Sequence, residues 1–260
     1  MRATGPRRIA LLTAIAAALS ITTVGAVPTE SAPRFDKYVA LGDSAAAVGS
    51  VDKLKPDSPR FCRRAEDNYP SVLAHTLGVT EFVDVSCSGA KPSNMTAPQY
   101  GMNGPPNPPQ LDALTPDTDL VTITIGANDV GAFNVNVITD QQLDTMRARV
   151  GAILDDIHRR APHATVVLTT YLRYLPPHGN CYGIIDHGGG QRLTDALREV
   201  AATHSARFAD SYAKTGHDIC QPPDTRWVNG PVPDTPTVPL HANLAGQEYL
   251  ASVITIAVLD

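Results

Sequence analysis

The apolar positions of this chain switch repeatedly between the spacing of strands and that of helices. Residues 38–41 form a short apolar, partly β-branched run stopped by Gly42, which predicts a buried strand. Residues 68–77 carry Tyr69, Val72, Leu73 and Leu77 at helical spacing, with Gly78 as a stop signal. Residues 81–85 and 120–125 read as a second and third strand. Between them, 98–109 hold too much Gly and Pro for regular structure. Over 141–160, Leu143, Met146, Val150, Ile153, Leu154 and Ile157 fall on one helix face, and Pro162 marks its end. A fourth strand follows at 165–170, a helix at 192–204 with Leu193, Ala196, Leu197 and Val200 inward, and a short fifth strand at 207–210. Beyond the Pro-rich stretch 211–240, Asn243 caps a final helix expected to bury Leu244, Leu250, Val253 and Ile254. This alternation predicts an α/β fold with a parallel sheet of about five strands, covered on both faces.

The N-terminus adds a processing signal. Arg2, Arg7 and Arg8 precede a run of apolar and small residues from Ile9 to Leu19, and Val24-Gly25-Ala26 offers small residues for cleavage. Residues 1–26 are expected to be a secretory signal peptide, too short in its apolar run for a membrane anchor, leaving 27–260 as one catalytic domain, expected to be a monomer. The formal net charge is −5, and loss of three leader arginines brings it to −8. That argues against nucleic acid or an anionic membrane as the main partner and favours a small neutral ester or lipid substrate.

Four cysteines remain in a chain expected to meet an oxidising compartment: Cys62, Cys87, Cys181 and Cys220. Two disulfides are possible in three pairings, of which the sequential one closes the shorter loops. A rival use is zinc: His178 precedes Cys181, and His217 precedes Cys220, each by three residues, a duplicated H-x-x-C. Export favours the disulfides.

Candidate chemistry gathers where open α/β sheets bind ligands, beyond the carboxyl ends of the strands. Gly42-Asp43-Ser44 follows the first strand, Ser88-Gly89-Ala90 the second and Gly126-Ala127-Asn128-Asp129 the third, while His241 introduces the last helix. A serine hydroxyl is a weak nucleophile until an imidazole takes its proton, and the tetrahedral intermediate needs donors aimed at its oxyanion. Ser44 and His241 supply the first pair; the main-chain N–H groups of Ser44 and Gly89 and the Asn128 carboxamide supply the donors. Taken singly, each has a plainer reading: a strand-to-helix turn, a helix cap, a surface histidine. Their order along the chain and their shared placement at element ends favour acyl transfer. G-x-S-x-G, Walker and H-E-x-x-H motifs are absent, and the chemistry calls for no metal or cofactor.

With these residues the chain resembles the SGNH or GDSL family of esterases and lipases, and in 38–44, Cys87 to Ala90, 120–129, Trp227 to Gly230 and 241–246 it resembles the secreted actinobacterial branch. The resemblance implies a flavodoxin-like three-layer α/β/α sandwich, the SGNH hydrolase fold, and a pairing of Cys62 with Cys87. Departures are Ala45 and Ala46 after the nucleophile, Lys91-Pro92 in place of two threonines, and Ala242 in place of proline. Val238 stands where many members carry the aspartate that orients the histidine. The expected orienter is therefore the Val238 carbonyl, with Asp234 as the nearest carboxylate alternative. Asp43 and Asp129 are expected to satisfy turn amides, Trp227 to pack under the long loop, and His178, His187 and His217 to be solvated. Within the ester hydrolases, a phospholipase or a polysaccharide acetyl esterase fits the same residues; outside them, an exported ligand-binding protein does.

Overall fold

The computed structural model describes residues 35–260, apart from 103 and 132–136, together with Met1 and Gly5. The leader expected over 1–26 thus falls, those two residues excepted, outside the described residues. The elements are β1 (Lys37–Gly42), α1 (Ser44–Ala47), α2 (Tyr69–Leu77), β2 (Glu81–Asp84), β3 (Leu120–Thr124), α3 (Ala127–Val130), α4 (Asp140–Arg160), β4 (Thr165–Thr169), β5 (Asn180–Cys181), β6 (Ile184–Ile185), α5 (Gly189–Thr203), β7 (Arg207–Ala209) and α6 (Leu244–Leu259).

Five strands form one parallel sheet in the order β2-β1-β3-β4-β7. The chain builds outward from β1 in both directions, so the switch point lies between β1 and β3, where the strand ends leave a crevice. β1 shows why the sheet has a layer on each face. Tyr38 and Ala40 face a core with Leu73, Leu250 and Ile254 of α2 and α6, while Val39 and Leu41 face a core with Met146, Val150, Leu193 and Leu197 of α4 and α5. Period-two alternation with both sets buried yields a three-layer α/β/α sandwich.

Local signals set the helix ends. Asn68 Oδ1 accepts from the Ser71 N–H at 3.0 Å, Pro70 stands in the first turn, and Gly78 closes α2 with φ +63°. Thr139 and Gln142 form a capping box on α4. Two expectations shift. α5 begins at Gly189, earlier than the apolar spacing indicates, because its first turn is glycine and carries no periodic signal. Leu244 is exposed at the first position of α6, and Gly246 and Gln247 are buried there instead. The stretch 171–190 also holds the antiparallel hairpin β5-β6, turned by Tyr182 and Gly183, both at positive φ. Disulfides join Cys62 to Cys87 and Cys181 to Cys220, which occupies both sulfurs of the H-x-x-C zinc alternative.

Gly42 has φ +143°, and a Cβ there would lie 2.7 Å from the Thr124 carbonyl oxygen; Gly78 also has positive φ but open space around it. Gly42→Ala should therefore cost more than about 3 kcal/mol and Gly78→Ala about 1 kcal/mol, measured by urea unfolding. Similar losses for the two would show that the steric block at Gly42 relaxes.

Candidate active site

The turn from β1 into α1 starts the site. Asp43 caps α1, its Oδ1 accepting the Ala45 N–H at 2.9 Å, and this presents Ser44 as the first helical residue, 6% exposed. His241 Nε2 lies 2.8 Å from Ser44 Oγ. The other ring nitrogen, Nδ1, is 2.8 Å from the carbonyl oxygen of Pro239. A carbonyl only accepts, so Nδ1 carries the proton and Nε2 presents its lone pair to the serine hydroxyl. Burial pulls the imidazole below its ordinary value; the Pro239 bond opposes this and the nearby Arg63 charge adds to it.

The carbonyl at Nδ1 belongs to Pro239, one residue beyond the expected Val238. Leu240 takes φ +61°, which turns the chain so that the Val238 carbonyl accepts the His241 main-chain N–H at 3.3 Å. Asp234, the alternative orienter, pairs instead with Arg226 at 2.6 Å. The histidine segment is further held by pairing of Val228 with Ala242, by the Asn229 N–H to His241 O bond at 2.9 Å, and by a bond from the Asn243 N–H to Trp227 O at 2.9 Å.

The candidate oxyanion donors lie in the segments that follow β1, β2 and β3. Gly89 is exposed with φ +77° in the turn fixed by the Cys62–Cys87 disulfide and by the Ser88 N–H to Cys62 O bond at 2.9 Å. Asn128 lies on α3 directly after β3, and its Nδ2 donates to Ala90 O at 3.0 Å, leaving a second N–H on the same nitrogen. Among the described residues no acceptor lies on the main-chain N–H of Ser44 or of Gly89.

A model of the GDSL-like lipase/acylhydrolase family matches residues 40–249. The chain belongs to that family. The chain is similar to Lipase 2 of Streptomyces coelicolor, 32% identical over 94% of this chain and 92% of the relative. Two solved structures share the fold at TM-score 0.68. The phospholipase A1 from Streptomyces albidoflavus is 25% identical, covering 86% of this chain and 99% of that one; the extracellular lipase from Streptomyces rimosus is 26% identical, covering 85% and 99%. The protein is a carboxylic ester hydrolase of the SGNH fold.

Several residues of this hydrolase matter that the sequence did not single out. The Tyr171 hydroxyl, just past β4, donates to Asp43 Oδ2 at 2.6 Å and accepts the Ala127 N–H at 3.0 Å, coupling the turns after β1 and β3. Its position at a strand end was the available signal. Gln110, fully buried, accepts the Gly42 N–H at 2.7 Å and donates to the Gly42 carbonyl at 2.9 Å; its Pro-rich surroundings gave no hint. Asp129 does not serve turn amides but takes two bonds from Arg149 of α4, at 2.7 and 2.9 Å. His178 and His187 are exposed, whereas His217 is half-buried, stacked on Trp227 at 3.5 Å and bonded through Nδ1 to Thr225 O at 2.7 Å. Trp227 packs between His217 and Tyr249 of α6 because the long loop folds back over that helix.

Burial pushes the Asp43 carboxyl up to about 7, against bonds from Tyr171 and Ala45 that favour the anion. The folded value exceeds the ordinary 3.8, so folding takes up a proton: the contribution to stability is full below about pH 4 and is lost as pH rises through about 7. Asn cannot titrate, so the stability of Asp43→Asn relative to the parent enzyme should rise by on the order of 2–4 kcal/mol between pH 4 and pH 7. Parallel stability profiles from chemical unfolding would place this carboxyl in the ordinary range.

Proposed function

We propose that this enzyme is an exported hydrolase that cleaves esters of short or medium acyl chains through a Ser44-His241 dyad whose imidazole is oriented by main chain. The observation that carries the reading is the 2.8 Å contact between Ser44 Oγ and His241 Nε2, with Nδ1 held by the Pro239 carbonyl. Ser44 Oγ attacks the ester carbonyl carbon as its proton passes to Nε2, and the carbonyl oxygen takes the electron pair facing the N–H groups of Ser44, Gly89 and Asn128. Collapse expels the alcohol oxygen, which takes the proton from His241. Water then repeats the sequence on the acyl-serine, releasing the acid and restoring Ser44.

Two apolar cavities support an acyl substrate. One, of about 40 Å³, touches Ala45 and His241; the other, of about 90 Å³, reaches Ala127 and the hairpin residues Ile184 and Ile185. They share Tyr171, Leu172 and Tyr174 as walls. Names given to relatives, lipase and phospholipase A1, support a lipid ester, and one structure is titled an extracellular lipase. The two disulfides agree with export, as does the leader-like sequence of residues 1–26. No described helix is long and apolar enough to cross a membrane.

Ser44→Ala should abolish hydrolysis of p-nitrophenyl butyrate in a folded protein, and Asn128→Ala should lower kcat about a hundred- to a thousandfold with a smaller change in KM. Substantial turnover by folded Ser44→Ala would eliminate the nucleophile. Asp234→Asn should retain kcat within about threefold, because its carboxylate serves Arg226; a loss near ten-thousandfold would make it the third member of a triad. Neutral His241 is the active form, so kcat/KM should rise with pH along a limb centred below 6.5, the ordinary histidine value. A limb centred above 6.5 would mean the imidazolium is stabilised, as by an unseen carboxylate.

A further inference from the structure

Gln99 belongs to the Gly- and Pro-rich segment 98–109, yet its side chain is held in one place. Its main-chain N–H and carbonyl pair with those of Asn107 at 2.9 Å each, as an isolated antiparallel bridge. Asn107 is buried; its Oδ1 accepts from Arg64 Nη2 at 3.0 Å and its Nδ2 donates to Val85 O at 3.3 Å, while Arg64 Nε donates to Ser86 O at 2.9 Å. The bridge is thereby fastened to the chain just beyond β2. From there Gln99 Nε2 donates to the carbonyl oxygen of Ser88 at 2.8 Å. A carbonyl only accepts, so the nitrogen end of the side-chain amide is the one that faces it. The other end, Oε1, is buried with no partner among the described residues. An amide that leaves a buried oxygen unpaired contributes little to stability; what it does is hold one peptide group.

That peptide joins Ser88 to Gly89. The Ala90 N–H donates to Cys87 O at 3.0 Å, which closes a β-turn over residues 87–90. Gly89, third in the turn, has φ +77°, whereas Ser88 is not among the residues of positive φ, so the turn is of type II. Types I and II differ by a rotation of the central peptide through about half a turn. In a trans peptide the C=O and N–H point in opposite directions. The rotation therefore decides on which side of the turn the Gly89 N–H lies, and glycine, free to take either sign of φ, does not oppose it. The rest of the turn is anchored elsewhere: the Cys87 N–H reaches Gly42 O at 3.0 Å, the Ser88 N–H reaches Cys62 O at 2.9 Å, and Ala90 O accepts Asn128 Nδ2 at 3.0 Å. Among the described residues, the bond from Gln99 is the one that falls on the central peptide.

Resting on the reading above that the Gly89 N–H is an oxyanion donor, we infer that Gln99 is a positioning residue of the reaction: by holding the Ser88 carbonyl, it keeps the Gly89 N–H turned to the opposite side, toward the ester oxygen as that oxygen takes up charge. Gln99 itself does not touch the substrate. Oxyanion donors are effective when they are aimed in advance, because reorienting a peptide during the reaction would cost part of the stabilisation it provides. Loss of the Gln99 bond therefore weakens binding of the tetrahedral state more than binding of the ester, and shows in kcat, not in KM.

The test measures kcat and KM on p-nitrophenyl butyrate together with inhibition by a pentyl trifluoromethyl ketone, whose carbonyl carbon bonds to Ser44 Oγ as the serine proton passes to His241 and whose oxygen becomes the oxyanion. Gln99→Met keeps the length of the side chain and removes the donor. It should lower kcat about ten- to a hundredfold, weaken inhibition by the ketone by a similar factor and leave KM within about twofold. Gln99→Glu, which sets carboxylate oxygens against the Ser88 carbonyl, should lose more than Gln99→Met. Tyr100→Ala, exposed and next in the chain, should keep the parent kcat, which separates the bond to Ser88 from disturbance of the loop. If Gln99→Met does not fold, Gln99→Asn, whose amide is one methylene too short for Ser88 O, gives the same reading. A folded Gln99→Met with kcat within about twofold of the parent, a loss confined to KM, or an equal loss in Tyr100→Ala overturns the positioning role. Asn128→Ala, measured alongside, tells this failure from that of the reading beneath it. If Asn128→Ala weakens inhibition by the ketone and the Gln99 variants do not, the oxyanion site stands without Gln99, whereas inhibition unchanged in Asn128→Ala removes the site on which the inference rests.

Discussion

The peptide groups around Gly42 hold together three of the chain segments that carry the candidate site, those at the ends of β1, β2 and β3. Its carbonyl oxygen accepts from the Cys87 N–H at 3.0 Å and from Gln110 Nε2 at 2.9 Å, its N–H donates to Gln110 Oε1, and the next N–H, of Asp43, reaches Thr124 O at 2.9 Å. A strand end buried in a parallel sheet has backbone donors and acceptors that water cannot reach, and leaving one unpaired costs about 1–3 kcal/mol. Meeting that demand brings the ends of β1, β2 and β3 into register, so the serine turn, the Gly89 turn and the Asn128 turn arrive at one edge. Glycine is required at the node because the backbone of β3 passes where a side chain would stand.

A second layer of buried polar side chains extends the arrangement to the outer elements. Gln247 of α6 accepts the Tyr69 N–H at 2.8 Å and donates to Val48 O at 2.9 Å, joining the last helix to α2 and to the end of α1. Asp84, at the end of β2, takes Lys55, Asn68 and Ser86 as partners at 2.6 to 3.1 Å. These groups are nearly out of water yet satisfied, so they fix one geometry instead of permitting several. The Asp43–Tyr171–Ala127 chain belongs to the same layer.

The histidine side is built differently. His241 sits at the end of a long irregular segment, held by main-chain pairing with residues 227–229 and by the Arg226–Asp234 ion pair. Orientation of the ring by a carbonyl follows from this architecture, since a positive φ at Leu240 turns the Pro239 peptide toward Nδ1. A carbonyl places less negative charge on the ring than a carboxylate does, which agrees with an imidazole that burial draws below its usual value.

The five strands, the helices on both faces and the four motifs at strand and helix ends were legible from residue order, because apolar periodicity and turn residues are local signals. The sequence named Ser44, Gly89, Asn128 and His241 together through their order and their resemblance to a family. Tertiary structure alone decided the partners: Pro239 where Val238 was expected, Arg149 for Asp129, and Arg226 for Asp234. It alone showed Gln110 and Tyr171 to be structural keys, the one bonded to the Gly42 peptide and the other coupling the turns after β1 and β3. The reason is physical. A residue's type and spacing settle which element it joins, but which carbonyl a turn presents, and which charge meets which, depend on backbone angles and on segments far apart in the chain.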